Sequence, residues 1–179
     1  MIKKIKASKS EKIIFFFLIS LAIFSLSSFF LIKNKCLFVK NYNPEKLSFD
    51  KPNNIVILNV ECGNVIIELY PNISPNAVER FKTLVRSKAY DDVAFHRVIK
   101  DSLVQAGDLE FGKKGNIDYG KIGTGQSGLG TINSEIDVPF NYERGSVGLA
   151  RTQKYNTEDS QFFITLKDEP LYESEYTPI

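Results

Sequence analysis

Between Lys12 and Lys33 the chain carries twenty consecutive residues without a charge, IIFFFLISLAIFSLSSFFLI, from Ile13 to Ile32. A helix rises 1.5 Å per residue, so such a run is about 30 Å long and matches the hydrocarbon core of a bilayer. A cleavable secretion signal has a shorter apolar region followed by small residues. Here the run ends in Phe29, Phe30, Leu31 and Ile32, and an uncleaved membrane anchor is expected over residues 13–32. Lys3, Lys4, Lys6, Lys9 and Lys12 precede it, against Lys33, Lys35 and Lys40 beyond it. This bias puts a basic tail, residues 1–12, in the cytoplasm and the remainder in a periplasm or other extracytoplasmic space. The margin in lysines is small, and the reverse orientation stays open. Lipid attachment at Cys36 is disfavoured, because Lys33, Asn34 and Lys35 stand where a lipoprotein signal needs small and apolar residues.

A chain of 179 residues has room for one domain besides this segment. The formal net charge is +2 and the Lys and Arg residues are dispersed, which gives no footprint for nucleic acid. Two cysteines suggest neither a disulfide framework nor a Cys-based zinc site, and a single His excludes multi-histidine metal chemistry. Residues 33–53, with Asn, Lys and Pro and no period, read as a linker, leaving 54–179 as the globular part.

Ile55–Glu61 and Val65–Tyr70 are apolar and β-branched around Cys62-Gly63-Asn64, the pattern of a hairpin. Ser74 is suited to cap a helix that has Pro75 at its first position. Ala77, Val78, Phe81, Leu84 and Val85 then recur at helical spacing. Short strands are expected at Val93–Ile99, Leu103–Gln105, Ser146–Ala150 and Gln161–Leu166, with an extended loop region from Gly107 to Asn141. The whole reads as mainly β with one early helix, as in a barrel or sandwich.

Two Gly-rich matches carry no nucleotide chemistry. Gly107 to Lys113 fits most of a P-loop, but Lys114 replaces the Ser or Thr that ligates magnesium. Gly123 to Gly128 fits GxGxxG without the buried strand and following helix of a dinucleotide site. His96 has no evident nucleophile partner and there is no GxSxG elbow, so hydrolase chemistry is unsupported.

Phe95-His96-Arg97-Val98-Ile99, Gln105-Ala106-Gly107-Asp108 and Ser160-Gln161-Phe162-Phe163-Ile164 resemble, in order and spacing, the three signature blocks of the cyclophilins. Val65–Pro71 looks like the family's second strand, Ala77–Phe81 like its first helix, and Gly148–Thr152 like its substrate-side strand in the bacterial form. The resemblance covers about residues 54–179. It implies an antiparallel eight-stranded β-barrel capped by two helices, and peptidyl-prolyl cis–trans isomerase activity on proline-containing polypeptides during protein folding.

The resemblance also implies roles. Twisting an X-Pro amide breaks a resonance worth about 18–20 kcal/mol of barrier and localises the lone pair on the proline nitrogen. A fixed guanidinium aimed at that nitrogen stabilises the twisted state over the planar one. Arg97 matches that donor, Gln105 the group that holds the neighbouring carbonyl, and Leu103 with Phe163 the apolar grip on the ring. No covalent intermediate, metal or cofactor is required. Phe95, Ala150, Arg151, Thr152 and Gln161 match the substrate groove, and His96 is expected to orient or pack rather than titrate in the reaction. Taken singly, each has a plainer account: Arg97 as a paired strand-edge cation, Gln105 and Gln161 as polar groups holding backbone, Phe163 as core.

Departures follow from the same comparison. Ser102 stands where the family usually has a Phe lining the proline pocket. Leu171 replaces the Trp of cyclosporin-sensitive members and predicts weak or no cyclosporin binding, with Tyr172 and Tyr176 at the other two rim positions. Ala106 replaces a Gly and is tolerated unless that residue needs positive φ. The chain stops at Pro178-Ile179, where family members continue into two strands and a second helix, so an unclosed barrel with an open β edge is expected. Alternatives therefore remain: a non-catalytic module that binds or chaperones proline-containing segments, or a nonfunctional remnant.

Overall fold

The computed structural model describes residues 8–33, 36, 39 and 43–179. Residues 1–7 of the basic tail, with Lys35 and Lys40 of the linker, lie outside the described residues. Two compact units result: one holds the apolar helix and the hairpin tip Leu58–Val65, the other Ser48–Ile57 and Ile66–Ile179.

In the first unit, α1 runs Lys9–Lys33 with no buried residue. It is long and apolar enough to cross a membrane. It starts before the apolar run because Ser8 and Glu11 form a reciprocal capping box, Glu11 N–H donating to Ser8 Oγ (3.2 Å) and Ser8 N–H to Glu11 Oε2 (2.7 Å). The expectation for the cysteines needs correcting: Cys36 and Cys62 are joined as a disulfide, with 4.9 Å between their Cα atoms. A separation of 26 residues carries no sequence signature, and the bond arises because Cys62 sits in the turn of a hairpin. That hairpin is β1 (Ile55–Val60) and β2 (Gly63–Glu68). Its turn is the two residues Glu61-Cys62, so Gly63 and Asn64 belong to the strand instead of the loop.

In the second unit, α2 spans Pro75–Arg86 and buries Ala77, Val78, Phe81 and Leu84, the face expected from the spacing. Ser74 occupies the N-cap position without capping, and its Oγ is buried without a hydrogen-bond partner among the described residues. The Glu135 carboxylate does that work from the long loop, accepting from Asn76 N–H (3.2 Å) and Ala77 N–H (2.9 Å). A full negative charge meets the exposed N–H groups and the positive end of the helix dipole, which a hydroxyl matches less well.

Four short strands form an antiparallel sheet in the order β3 (Arg97–Ile99), β4 (Leu103–Ala106), β6 (Phe162–Thr165), β5 (Val147–Leu149). The expected strand from Val93 is shorter because Val93 takes a different partner, an isolated bridge to Lys113. Residues 107–141 contain no helix or ladder strand, as expected.

The pleat sends Phe162 and Phe163 to opposite faces. Phe162 packs edge-on to Phe81 of α2 (5.3 Å) and to Tyr90 (5.5 Å). Phe163 lies in a second cluster with Leu103 and Tyr142, over which Tyr172 and Tyr176 pack. Gly148 opposes Phe163 across the β5–β6 ladder, where an added Cβ would come within 2.6 Å of the Phe163 ring.

Candidate functional site

The register of the sheet gathers the site. Arg97 pairs with Gln105 across β3–β4, and Gln105 with Phe163 across β4–β6. Direct partners share a face, as do residues two apart, so Arg97, Leu103, Gln105, Gln161 and Phe163 all project to one side. There they form a relay. Arg97 Nη1 donates to Gln105 Oε1 (3.2 Å), Gln105 Nε2 to Gln161 Oε1 (2.9 Å), and Gln161 Nε2 to the carbonyls of Gly123 (3.0 Å) and Gly125 (2.9 Å). One amide at each step presents its oxygen backward and its nitrogen forward, so the chain of donors has a single sense. Arg97 is exposed at its open end. Its guanidinium has five donors in a rigid fork, and the relay uses one nitrogen, leaving the remainder to face a ligand.

The Gly123–Gly125 segment that terminates the relay is itself anchored on a carboxylate. Asp108, fully buried, accepts from Gly123 N–H (2.6 Å) and Gly125 N–H (3.0 Å) on Oδ2, and from Phe111 N–H (2.8 Å) and Glu110 N–H (3.2 Å) on Oδ1. Burial pushes its pKa up, but the four backbone N–H groups outweigh it and hold the carboxyl below its ordinary value. These are the first two glycines of the GxGxxG match, and their N–H groups are already spent on Asp108. Any side chain at Gly125 would collide with that carboxylate.

His96 sits beneath this loop, its ring 3.4 Å from where a Cβ on Gly123 would stand. Neither ring nitrogen has a well-formed hydrogen bond among the described residues. Burial lowers its pKa despite the nearby Asp108 charge, so the ring packs as a neutral group. Phe95 is half-buried beside it.

A groove of about 240 Å³ adjoins the relay. One wall is Gly123–Gln126, the other is Ala150, Arg151 and Thr152, and Gln105 and Gln161 form part of its lining. Arg151 is fixed by Glu175 (2.9 Å) and lies over the Tyr155 and Tyr176 rings, at 4.3 and 5.0 Å from their centroids.

The expected apolar grip is placed differently. Leu103 and Phe163 are only 4% and 3% exposed, because Tyr172 and Tyr176 stand edge-on to Phe163 at 5.5 and 5.2 Å. The two residues are the floor of an aromatic cluster and not an open pocket. Leu171 is 82% exposed. Ser102 donates to the buried Glu169 carboxylate (3.0 Å), so the position expected to lose an apolar wall carries a polar pair. Ala106 lies in β4 without positive φ, which removes the one objection to it. The sequence reading passed over Asp159, which lines the groove, and Arg80, which binds it from α2; 79 residues separate them and no local pattern links them.

An antiparallel sheet presenting an arginine and two glutamines on one face, flanked by a Gly-rich wall, defines a cyclophilin-type domain. The family model for cyclophilin-type peptidyl-prolyl cis-trans isomerases matches residues 55–179, and the chain belongs to that family. It is 44% identical over 131 residues to a probable peptidyl-prolyl cis-trans isomerase of Brucella suis biovar 1 (strain 1330), covering 72% of this chain and 65% of the relative. The chain thus spans less than two thirds of that relative's length. A Schizosaccharomyces pombe peptidyl-prolyl cis-trans isomerase is 32% identical over 127 residues, 68% of this chain and 74% of the relative. Among solved structures, a Cryptosporidium parvum cyclophilin-type isomerase crystallised with the dipeptide Ala-Pro superposes with a TM-score of 0.56 at 30% identity, covering 65% of this chain and 70% of that one. The fold is shared with a Hirschia baltica cyclophilin at 21% identity, TM-score 0.59, over 78% of this chain and 70% of that one.

Proposed function

We propose that residues 54–179 accelerate cis–trans isomerisation of X-Pro bonds in polypeptides, from a domain tethered by an anchor at 13–32 and a linker at 33–53. The observation that carries this reading is the exposed Arg97 guanidinium held at one end of the Gln105–Gln161 relay. A proline nitrogen that meets it gains a donor only when the amide twists, which is differential binding of the transition state. Gln105, adjacent to the guanidinium, holds the neighbouring carbonyl, and the peptide flanking the proline lies along the groove between Gly125 and Ala150. The C. parvum relative, crystallised in the presence of Ala-Pro, supports proline-containing ligands for this family.

The Cys36–Cys62 disulfide and the excess of lysine before the apolar run 13–32 support an extracytoplasmic domain, since disulfides persist in oxidising compartments. A second reading, peptide binding without useful turnover, is favoured by one observation: Tyr172 and Tyr176 cover Phe163, and a proline ring has to displace them to reach it.

A protease-coupled isomerisation assay on the full chain in detergent separates the two. Catalysis above background that falls at least about tenfold in Arg97→Ala, the loss of one transition-state donor, is the expected result. Folded protein that binds a proline peptide with no turnover, or turnover indifferent to Arg97, would overturn the enzymatic reading.

A further inference from the structure

The Gly123–Gln126 wall of the groove is pinned at its inner end by Asp108 and Gln161. Its outer end continues into Ser127–Gly130, and that stretch is held by a separate device on α2. Arg80, whose side chain is 12% exposed, binds the Asp159 carboxylate through Nη1, and the same nitrogen donates to the Gly130 carbonyl (2.6 Å). Its Nη2 reaches the Leu129 carbonyl (3.4 Å). Asp159, whose side chain is 4% exposed, receives Ser127 N–H (2.5 Å) on Oδ2 and Ser127 Oγ–H (2.5 Å) on Oδ1. One guanidinium and one carboxylate therefore clamp three of the four residues of this stretch, Ser127, Leu129 and Gly130, from both sides. Asp159 also lines the groove itself.

We infer that Arg80 and Asp159 are positioning residues that set the width of the groove for the residues flanking the proline, without acting on the proline bond. This rests on the isomerase reading above. The physical ground is that Arg80 makes no hydrogen bond or ion pair to the relay among the described residues, whereas it anchors the outer half of the wall. Replacing its fork by an ammonium retains the charge on Asp159 but cannot span Leu129 and Gly130 together. Removing it leaves a buried carboxylate without its cation, which is costly to the fold as a whole. Arg80→Lys is therefore the informative variant, with Asp159→Asn as its partner.

The test uses the full chain and two probes, the dipeptide Ala-Pro and a proline-centred hexapeptide. Amide hydrogen exchange is followed across residues 123–130. In Arg80→Lys, exchange of that segment is expected to quicken about tenfold, the consequence of losing one charge-assisted hydrogen bond, while β4 and β6 are unchanged. KM for the hexapeptide is expected to rise about fivefold to tenfold with kcat nearly constant, whereas Ala-Pro binding stays at the wild-type level. Asp159→Asn gives the same pattern, and the double variant is no worse than either single one. Unchanged loop exchange, or hexapeptide and dipeptide binding weakened alike, would overturn the inference. A wild-type protein with neither turnover nor peptide binding defeats the isomerase reading instead, and defeats the inference with it. Its loop-exchange result then still records whether the clamp exists.

Discussion

His96 and Arg97 are adjacent in sequence yet belong to different physical regimes. Arg97 is exposed on the sheet face, while His96 is partly buried under Gly123, and neither ring nitrogen has a well-formed hydrogen bond among the described residues. Burial lowers the His96 pKa from 6.5, against the opposing pull of Asp108. The unfolded chain then binds the extra proton first, so stability is full above the unfolded value and falls as pH drops through it toward the folded value. Replacing the ring with Phe removes the titration. Wild-type protein is expected to lose denaturant resistance between about pH 7.5 and about pH 5.5, and His96→Phe to show a flatter profile in that window, read from urea midpoints. Arg97, Gln105 and Gln161 stand out in the sequence only as matches to the cyclophilin signature blocks, and it is the register of the sheet that brings their side chains into one hydrogen-bonded chain. Arg80 and Asp159 do not stand out, because a long-range ion pair leaves no periodic trace in either segment. For Leu103 and Phe163 the sequence identifies apolar side chains, and only the packing shows that Tyr172 and Tyr176 stand over Phe163.

At the level of elements, local signals predicted existence well and partnership poorly. The α2 face followed from spacing, and Pro75 marked its start. The group that satisfies its first N–H groups, Glu135, comes from 58 residues further along, at Ala77 N–H. Ser74, the residue with the right local chemistry, has its Oγ buried without a hydrogen-bond partner among the described residues. Glu135→Gln, which weakens the charge on these N–H groups, is expected to cost about 1 kcal/mol in equilibrium unfolding, whereas Ser74→Ala should be close to neutral. Equal losses in the two variants would contradict the assignment. The strands show the same division. The hairpin strands were expected within a few residues, but the true turn, Glu61-Cys62, appears only once Gly63 and Asn64 pair into β2. Val93, expected to open the strand that runs to Ile99, pairs instead with Lys113 in an isolated bridge.

For the whole molecule, the cysteines change what the linker is. Read from sequence, the path from Lys33 to Ile55 is a leash of up to about 75 Å when extended. The Cys36–Cys62 bond closes a loop across it, so the covalent route from the end of α1 to the hairpin turn runs along three residues, about 10 Å, and then across the disulfide, 4.9 Å between its Cα atoms. Inserting ten flexible residues between Leu47 and Ser48 is expected to leave the reach of the hairpin turn from α1 unchanged under oxidising conditions, as read by the distance between spin labels placed on α1 and beside Cys62. After reduction, or in Cys36→Ser, the same insertion should lengthen and broaden that distance. An insertion that lengthens it in the oxidised wild-type chain would show the bond absent. Mechanically, the segment between the two cysteines is slack: a pull on the chain beyond Cys62 is transmitted through the sulfur atoms to α1, and the residues between them bear no tension until a thiol cuts the shunt.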